Sequence, residues 1–222
     1  MKRLLSTKML KADHSKRLKT AGWDLTQYNA ISVERLPVSS KPGTRLAIFS
    51  SKHAVRACLS GPGPVDLSGV PCLCVGEKSK ALLAKYGIEV LEVADTASAL
   101  AEKISQKYTD KTFIYYCGDR RLDILPNALN ELGLDWEEEM VYRTSIIPRQ
   151  FQTSFQGILF FSPSGVESFV AKNDLKGAQA FCIGETTASE AKKYTDRVLI
   201  AAEPTLEALV NQAISAHNPV NS

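Results

Sequence analysis

The chain has 222 residues, of which 44% are hydrophobic and 23% charged, and its net charge is +3. This composition is ordinary for a globular protein, and no apolar run reaches the length of a membrane span. No basic run or aromatic-interleaved basic patch occurs, so we expect no nucleic-acid partner. The mild positive balance would suit a small anionic molecule.

The first predicted strand begins near Lys2, within the segment MKRLLSTKML. A secretion signal needs a longer apolar core than this segment provides before the polar run Ser-Thr-Lys. We therefore expect a cytoplasmic protein without membrane association.

The sequence repeats itself, first at a shift of 111 residues and then at a shift of 108. At the first shift, Leu18, Gly22, Asp24, Pro37, Phe49, Ser51 and Val55 fall on Leu129, Gly133, Asp135, Pro148, Phe160, Ser162 and Val166. At the second shift, Cys74, Gly76, Glu77, Lys85, Tyr86, Val90, Leu91 and Ala94 fall on Cys182, Gly184, Glu185, Lys193, Tyr194, Val198, Leu199 and Ala202. The repeat predicts two copies of one set of elements.

Each copy contains five predicted strands separated by stretches with helical spacing, such as SKALLAKYG. In the first copy the strands are KRLLST, AISVERL, RLAIFS, VPCLCVG and IEVLEV. In the second copy they are KTFIYYCG, EMVYRTSII, GILFFS, QAFCIG and RVLIAA. This alternation predicts an α/β protein with two flavodoxin-like domains, each with a mainly parallel five-stranded sheet.

A proline-bearing segment follows the second predicted strand of each copy, LPVSSKPG in the first and IIPRQFQ in the second. These segments are the candidate crossings between domains. The repeat alone leaves open whether residues 1–35 pack with the block that follows them or with the final block.

The segment FFSPSGVESF joins a predicted strand to a predicted helix. Ser162 is a favourable N-cap, Pro163 suits the first helical position, and Gly165 allows a ligand to approach the backbone closely. Ligands of open parallel sheets bind beyond the carboxyl ends of the strands, and free helix N–H groups favour anions. A second such corner is CIGETTASEA, with Gly184, Thr186 and Thr187. The alternative is that both corners are ordinary helix caps.

The five cysteines, Cys58, Cys72, Cys74, Cys117 and Cys182, lack the spacing of metal ligands. We expect buried thiols, neither disulfides nor a metal site. Cys74 and Cys182 fall at equivalent positions of apolar strands, which is typical of a core. The three histidines, His14, His53 and His217, are far apart and also lack metal-ligand spacing.

Four features together resemble the uroporphyrinogen-III synthase family: FFSPSGVESF, the segment IGETTA about twenty residues later, VYRT at 141–144, and the two-copy layout. The resemblance implies two flavodoxin-like domains linked by two extended connections. Residues 1–35 plus 147–222 would form one discontinuous domain, and residues 36–146 the other.

The resemblance also implies the activity. It predicts a hydro-lyase that cyclises the linear tetrapyrrole hydroxymethylbilane to uroporphyrinogen III in haem biosynthesis, with inversion of ring D and loss of water. No cofactor is implied. We expect a monomer that takes a polycarboxylate substrate and that contacts the preceding pathway enzyme transiently.

Tyr142 is the candidate catalytic residue, because a phenol with a pKa of about 10 stays protonated at neutral pH and can donate to the departing hydroxyl. The alternative is a tyrosine packed at the domain junction. The candidate substrate-binding residues are Thr7, Lys8, Ser51, Gly118, Arg121, Ser162, Ser164, Gly165, Gly184, Thr186 and Thr187. The basic side chains among them could instead be solvated surface residues.

Two other functions fit the same pattern of elements. One is a flavodoxin-like module that binds a flavin or nucleotide, and such a flavoprotein would be yellow. The other is a non-catalytic two-domain protein that binds an anion. No Walker loop or Gly-x-Gly-x-x-Gly run supports the nucleotide module.

Overall fold

A computed structural model describes residues 2–217. The strands are β1 (Arg3–Ser6), β2 (Asp24–Gln27), β3 (Ile31–Arg35), β4 (Leu46–Phe49), β5 (Cys72–Val75), β6 (Val90–Ala94), β7 (Phe113–Gly118), β8 (Trp136–Ile146), β9 (Gly157–Phe160), β10 (Gln179–Cys182) and β11 (Val198–Ile200). The helices are α1 (Ala12–Thr20), α2 (Lys52–Ser60), α3 (Glu77–Lys85), α4 (Ala97–Lys107), α5 (Ile124–Glu131), α6 (Pro163–Val170), α7 (Glu185–Ala191) and α8 (Leu206–His217).

The chain divides into two compact units. Unit 1 comprises the residues up to Ser32 and those from Ser145 onward, and unit 2 comprises Val33–Thr144. The strand order of the first sheet is β11-β10-β9-β1-β2, and that of the second is β3-β8-β7-β4-β5-β6. The α/β class with two mainly parallel sheets is thereby confirmed, although the second sheet has six strands where five were expected.

The N-terminal strand belongs to the same sheet as the last three strands. β1 pairs in parallel with β9, with Leu4 opposite Gly157 and Ser6 opposite Leu159. In the other unit, β7 pairs in parallel with β4, with Leu46 opposite Phe113. Each copy of the repeat therefore contributes its first strand to one sheet and its last three strands to the other.

The central strands are apolar on both faces because helices cover both sides of each sheet. All four residues of β9 and all four of β4 are buried. Along β7 the side chains alternate between two cores, so that Ile114 and Tyr116 join one cluster while Phe113, Tyr115 and Cys117 join the other. A parallel strand with two buried faces reads as a continuous hydrophobic run, which is why these strands were recognisable in the sequence.

The short strand β2 was not expected, because its sequence DLTQ lacks apolar alternation. It forms because β1 offers a parallel backbone partner, with Arg3 opposite Asp24 and Ser6 opposite Gln27. At the 111-residue shift, β2 and β3 together match the single eleven-residue strand β8. The sixth strand of the second sheet is β3, which lies beside β8 at the sheet edge.

All five cysteines are buried and free, as the sequence predicts. Burial raises the pKa of the Cys74 thiol to about 11 and that of the Cys182 thiol to about 12, so both stay protonated and unreactive at neutral pH. Across the described residues, none of the helices is both long and apolar enough to cross a membrane.

Unit 2 should fold by itself. A fragment of residues 33–144 contains the second sheet apart from two residues at the start of β3 and two at the end of β8, whereas residues 1–111 contain pieces of two cores. We expect the first fragment to show a single cooperative urea transition by circular dichroism and the second to show none. Cooperative unfolding of 1–111, together with an unfolded 33–144, would contradict this assignment.

Candidate functional site

In unit 1, three neighbouring strands end at one edge of the sheet. Thr7 and Lys8 follow β1, Ser162 and Gly165 follow β9, and Gly184 follows β10. Because parallel strands carry their carboxyl ends to the same edge, the structure brings the predicted unit 1 residues to one side of this sheet.

The predicted N-cap of α6 is confirmed. Ser162 Oγ accepts a hydrogen bond from the Gly165 N–H at 3.1 Å, and Pro163 occupies the first helical turn. Gly165 is buried, and a Cβ there would lie 3.4 Å from Thr7 Oγ1, an ordinary contact distance. Thr7 is also buried, and its hydroxyl donates to the Leu159 carbonyl at 2.7 Å. The Thr7 side chain therefore ties β1 to β9.

The corner after β10 is more open. Gly184 has extended backbone angles, and a Cβ at this position would meet nothing within 4 Å. Thr186 is exposed, whereas Thr187 is only 2% exposed and packs inward. Hence Thr186 faces solvent here, whereas Thr187 does not. Lys8 is exposed as well, with Nζ 5.9 Å from the centre of the Phe161 ring.

Unit 2 has its own polar corner, at the carboxyl ends of β7 and β4 and at the part of β8 beside the end of β7. Gly118 ends β7, Ser51 caps α2 directly after β4, and Tyr142 lies in β8. The Tyr142 O–H donates to Ser51 Oγ at 3.2 Å. Three of the residues predicted from the sequence thus meet within one unit.

A β-bulge and a glycine together orient Tyr142. The pairing of β7 with β8 shifts between Cys117, which faces Met140, and Gly118, which faces Tyr142, so that Val141 is the extra residue. As a result Val141 and Tyr142 both pack against the same core cluster. A Cβ on Gly118 would lie 2.3 Å from Tyr142 Cζ, so the phenol ring occupies the space that only glycine leaves.

Burial raises the pKa of the Tyr142 phenol above its usual value of 10. The hydrogen bond with Ser51 opposes this effect, while the nearby Cys117 and Asp119 add to it. The half-buried Tyr142 is therefore protonated throughout the neutral range and can donate a hydrogen bond or a proton.

Sequence reasoning missed the residues that surround Tyr142. The Asp119 N–H donates to the Tyr142 carbonyl at 3.2 Å, and its carboxylate accepts from the Thr144 N–H at 2.8 Å. The Tyr115 and Ser50 hydroxyls lie 2.6 Å apart, and the His53 ring lies 5.7 Å from that of Tyr142. The available sequence signal for Asp119 was its position next to a glycine at a strand end.

The guanidinium of Arg121 forms ion pairs with two acidic side chains of the protein. Its Nε lies 2.5 Å from a Glu138 carboxylate oxygen, and its Nη1 pairs with Asp123. A substrate carboxylate would have to compete with both acidic side chains. The guanidinium therefore holds the loop after β7 against β8 in this structure.

A separate groove of about 390 Å³ lies at the opposite edge of the unit 1 sheet. It is lined by segments that precede β9 and β10, including Phe151, Phe155, Lys172 and Lys176. None of the predicted site residues lines this groove. The predicted unit 1 residues lie instead at the other edge of the sheet, where α6 and α7 begin.

Comparisons with known proteins point to one family. The family model for uroporphyrinogen-III synthase HemD matches residues 13–211. The porphyrin biosynthesis protein HemD of Ruminiclostridium josui is 25% identical over 148 residues. That match covers 62% of this chain but only 29% of the length of the Ruminiclostridium protein.

Two solved structures share the fold over nearly their whole length. Uroporphyrinogen-III synthetase from Helicobacter pylori 26695 has a TM-score of 0.72 at 21% identity, with coverage of 97% of this chain and 100% of that one. A mutant uroporphyrinogen III synthase from Thermus thermophilus has a TM-score of 0.70 at 17% identity, with coverage of 98% of both chains. At these identities the likeness is one of fold.

The two buried corner glycines should respond differently to alanine. Gly118→Ala forces a methyl group into the Tyr142 ring, and such overpacking typically costs about 1–3 kcal/mol of unfolding free energy. Gly165→Ala adds a methyl group at ordinary contact distance inside a helix, where alanine is favoured over glycine by up to about 1 kcal/mol.

Urea unfolding of the two variants checks this contrast. We expect a lower midpoint for Gly118→Ala and an unchanged or higher midpoint for Gly165→Ala. Equal midpoints would mean that the Tyr142 ring moves away from Gly118 without cost.

Proposed function

This chain belongs to the uroporphyrinogen-III synthase family, and we propose that it cyclises hydroxymethylbilane to uroporphyrinogen III, with inversion of ring D and loss of water. In this proposal it is a hydro-lyase of haem biosynthesis. The observation that carries the proposal is the protonated phenol of Tyr142 at the carboxyl edge of the unit 2 sheet, next to the hydroxyl of Ser51.

The reaction requires one proton at the leaving group, the hydroxyl of the hydroxymethyl substituent. The hydroxymethyl carbon loses its oxygen as water when a donor protonates it, and the electron-rich pyrrole supplies the electron pair that stabilises the resulting cation. The substituted carbon of ring D then forms a new carbon–carbon bond to that cation and becomes a spiro centre. The older bond from this carbon to its original bridging carbon breaks, the bridging carbon re-bonds at the free position of ring D, and the proton of that position is released. No electrons are gained or lost overall, so the reaction balances without a redox cofactor.

The unit 1 corner is suited to hold the acidic substituents of the substrate. In the first turn of α6, Pro163 has no N–H and the Gly165 N–H donates to Ser162, so the Ser164 N–H is the amide left to bind an anion. The exposed Lys8 follows the adjacent strand β1. Free N–H groups and the positive end of the helix dipole both favour carboxylates. In this proposal, Ser162, Ser164 and Lys8 bind substrate carboxylates.

Orientation decides which isomer forms. Ring D must be held so that its substituted carbon attacks, because attack by the free position gives the type I isomer. Positioning of this kind can contribute several kcal/mol without any reactive side chain. We further propose that the protein acts as a cytoplasmic monomer and receives its unstable substrate through transient contact with the preceding enzyme.

The activity test uses freshly prepared hydroxymethylbilane. The products are oxidised, and the type III porphyrin is separated from the type I porphyrin that forms spontaneously. The proposal requires an excess of type III over the enzyme-free reaction. Binding of the substrate with only type I product would instead indicate a non-catalytic anion-binding protein.

Tyr142→Phe should lower the rate about tenfold, equivalent to about 1.4 kcal/mol in the barrier, and should keep the type III product. The expected loss is smaller than a full general-acid contribution, because the pyrrole itself helps to expel the hydroxyl. Phenylalanine keeps the ring packed against Gly118, so the loss reports on the hydroxyl alone.

Tyr116→Phe is the matched control within the same unit. Its hydroxyl donates to the Ser40 carbonyl at 3.0 Å, before the start of β4 and away from the candidate site. This control loses a tyrosine hydroxyl without touching the corner, so we expect its rate to match that of the unmodified protein. A full rate in Tyr142→Phe at saturating substrate would remove Tyr142 from the catalytic role.

A further inference from the structure

We propose that Ser51 delivers the proton to the leaving hydroxyl and that Tyr142 replenishes it, so that the two side chains form a short proton relay. This inference rests on the proposed function. It changes the role of Ser51 from binding the substrate to donating its proton, and the role of Tyr142 from direct donor to the second member of the relay.

The relay is inferred from the hydrogen-bonding capacity of Ser51. A serine hydroxyl has one hydrogen to donate and two lone pairs that accept. Ser51 Oγ accepts from the His53 N–H at 3.0 Å, as the N-cap of α2, and from the Tyr142 O–H at 3.2 Å. Both lone pairs are then in use. The remaining capacity of Ser51 is its own hydrogen, for which the described residues provide no acceptor.

The same contacts place the Tyr142 proton away from an incoming ligand. The phenol oxygen donates its single hydrogen to Ser51, and the ring is held against Gly118. Ser51 is only partly buried and lies at the carboxyl end of β4, where ligands of parallel sheets bind. Ser51 is therefore the member of the pair that can donate outward while it accepts from Tyr142.

Proton balance is maintained through the relay. Ser51 transfers its hydrogen to the leaving oxygen, the carbon–oxygen bond breaks, and its electron pair departs with water. Tyr142 passes its hydrogen to Ser51 in the same step and becomes a tyrosinate. The proton that ring D releases after carbon–carbon bond formation returns through Ser51 to Tyr142, which restores both hydroxyls.

The local potential favours donation by Ser51. Its oxygen lies at the N-terminus of the nine-residue helix α2, where the helix dipole carries partial positive charge. This charge stabilises electron density that builds up on the serine oxygen as the proton leaves. The raised pKa of Tyr142 keeps the second member of the relay protonated at neutral pH.

Among the residues that the structure describes, the equivalent corner of unit 1 has no such relay. Ser162 occupies the position that matches Ser51 in the repeat and caps α6 through Gly165. The residue that matches Tyr142 is Ile31, which has no hydroxyl. The capping serine of unit 2 therefore accepts a hydrogen bond from a tyrosine hydroxyl, whereas the residue at the matching position of the repeat in unit 1 has no hydroxyl to donate.

A double-mutant cycle tests the relay. Ser51→Ala and Tyr142→Phe should each lower kcat about tenfold, with KM changed less than twofold. If the two side chains act in series, the double variant should also be about tenfold slower, whereas independent roles would make it about a hundredfold slower. Ser51→Thr keeps both the hydroxyl and the cap, so its kcat should stay within about threefold of the parent value.

Loss of the helix cap is controlled separately. Thr96 caps α4 in the same unit by accepting from the Ala99 N–H at 3.1 Å, so Thr96→Ala removes a cap without touching Ser51 or Tyr142. Ser51→Asn keeps a capping acceptor but has no transferable proton. We expect full activity in Thr96→Ala and the same loss in Ser51→Asn as in Ser51→Ala.

Three outcomes would overturn the relay while leaving the proposed function intact. The first is full kcat in folded Ser51→Ala or Ser51→Asn, and the second is multiplicative loss in the double variant. The third is a rise in KM alone, which would assign Ser51 to substrate binding. Absence of type III product from the unmodified protein would instead refute the proposed function, and the relay with it.

Discussion

The parallel pairing of β1 with β9 is the interaction on which unit 1 depends. It joins residues that are more than 150 positions apart in the chain and places β1 between β2 and the three strands of the C-terminal block. Since all paired strands of this sheet run in one direction, their carboxyl ends meet at one edge. Thr7 secures the same junction with a side-chain bond to Leu159, just where the capped helix α6 begins.

In unit 2 the corresponding edge is shaped by a deviation from regular pairing. The bulge at Val141 turns two consecutive β8 side chains toward one core, and Gly118 leaves the space that the Tyr142 ring fills. Asp119 then holds β8 in place through two backbone contacts. Tyr142 is thus fixed by backbone geometry on both sides, which suits a group that must keep one direction of hydrogen bonding. A flexible basic residue such as Arg121 is instead restrained by acidic neighbours.

Most of the fold could be predicted from the sequence because buried parallel strands appear as apolar runs and because the same runs occur twice. The strand β2 could not be predicted, because its polar segment DLTQ has no alternation of apolar residues. It becomes a strand by pairing with the backbone of the neighbouring β1. In the site, the cap at Ser162 follows from local residue preferences. The contact between Tyr142 and Ser51 does not follow from local preferences. It depends on the bulge in β8 and on the approach of β8 and β4, which are separated by β7 in the sheet. The burial of the Thr187 side chain could not be predicted either, because a threonine in the first turn of a helix can point toward the core or toward solvent.

The sharing of strands between the two copies has a consequence for synthesis on the ribosome. All the strands of unit 2 have emerged soon after residue 144, so this unit can fold while the rest of the chain is still being made. β1 must wait for β9, and at about 5–20 residues per second this delay is roughly 8–30 s. During that interval the backbone edge of β1 that later pairs with β9 is open and available to other nascent chains. Slowing translation before Gly157 should therefore increase aggregation of unit 1 more than that of unit 2.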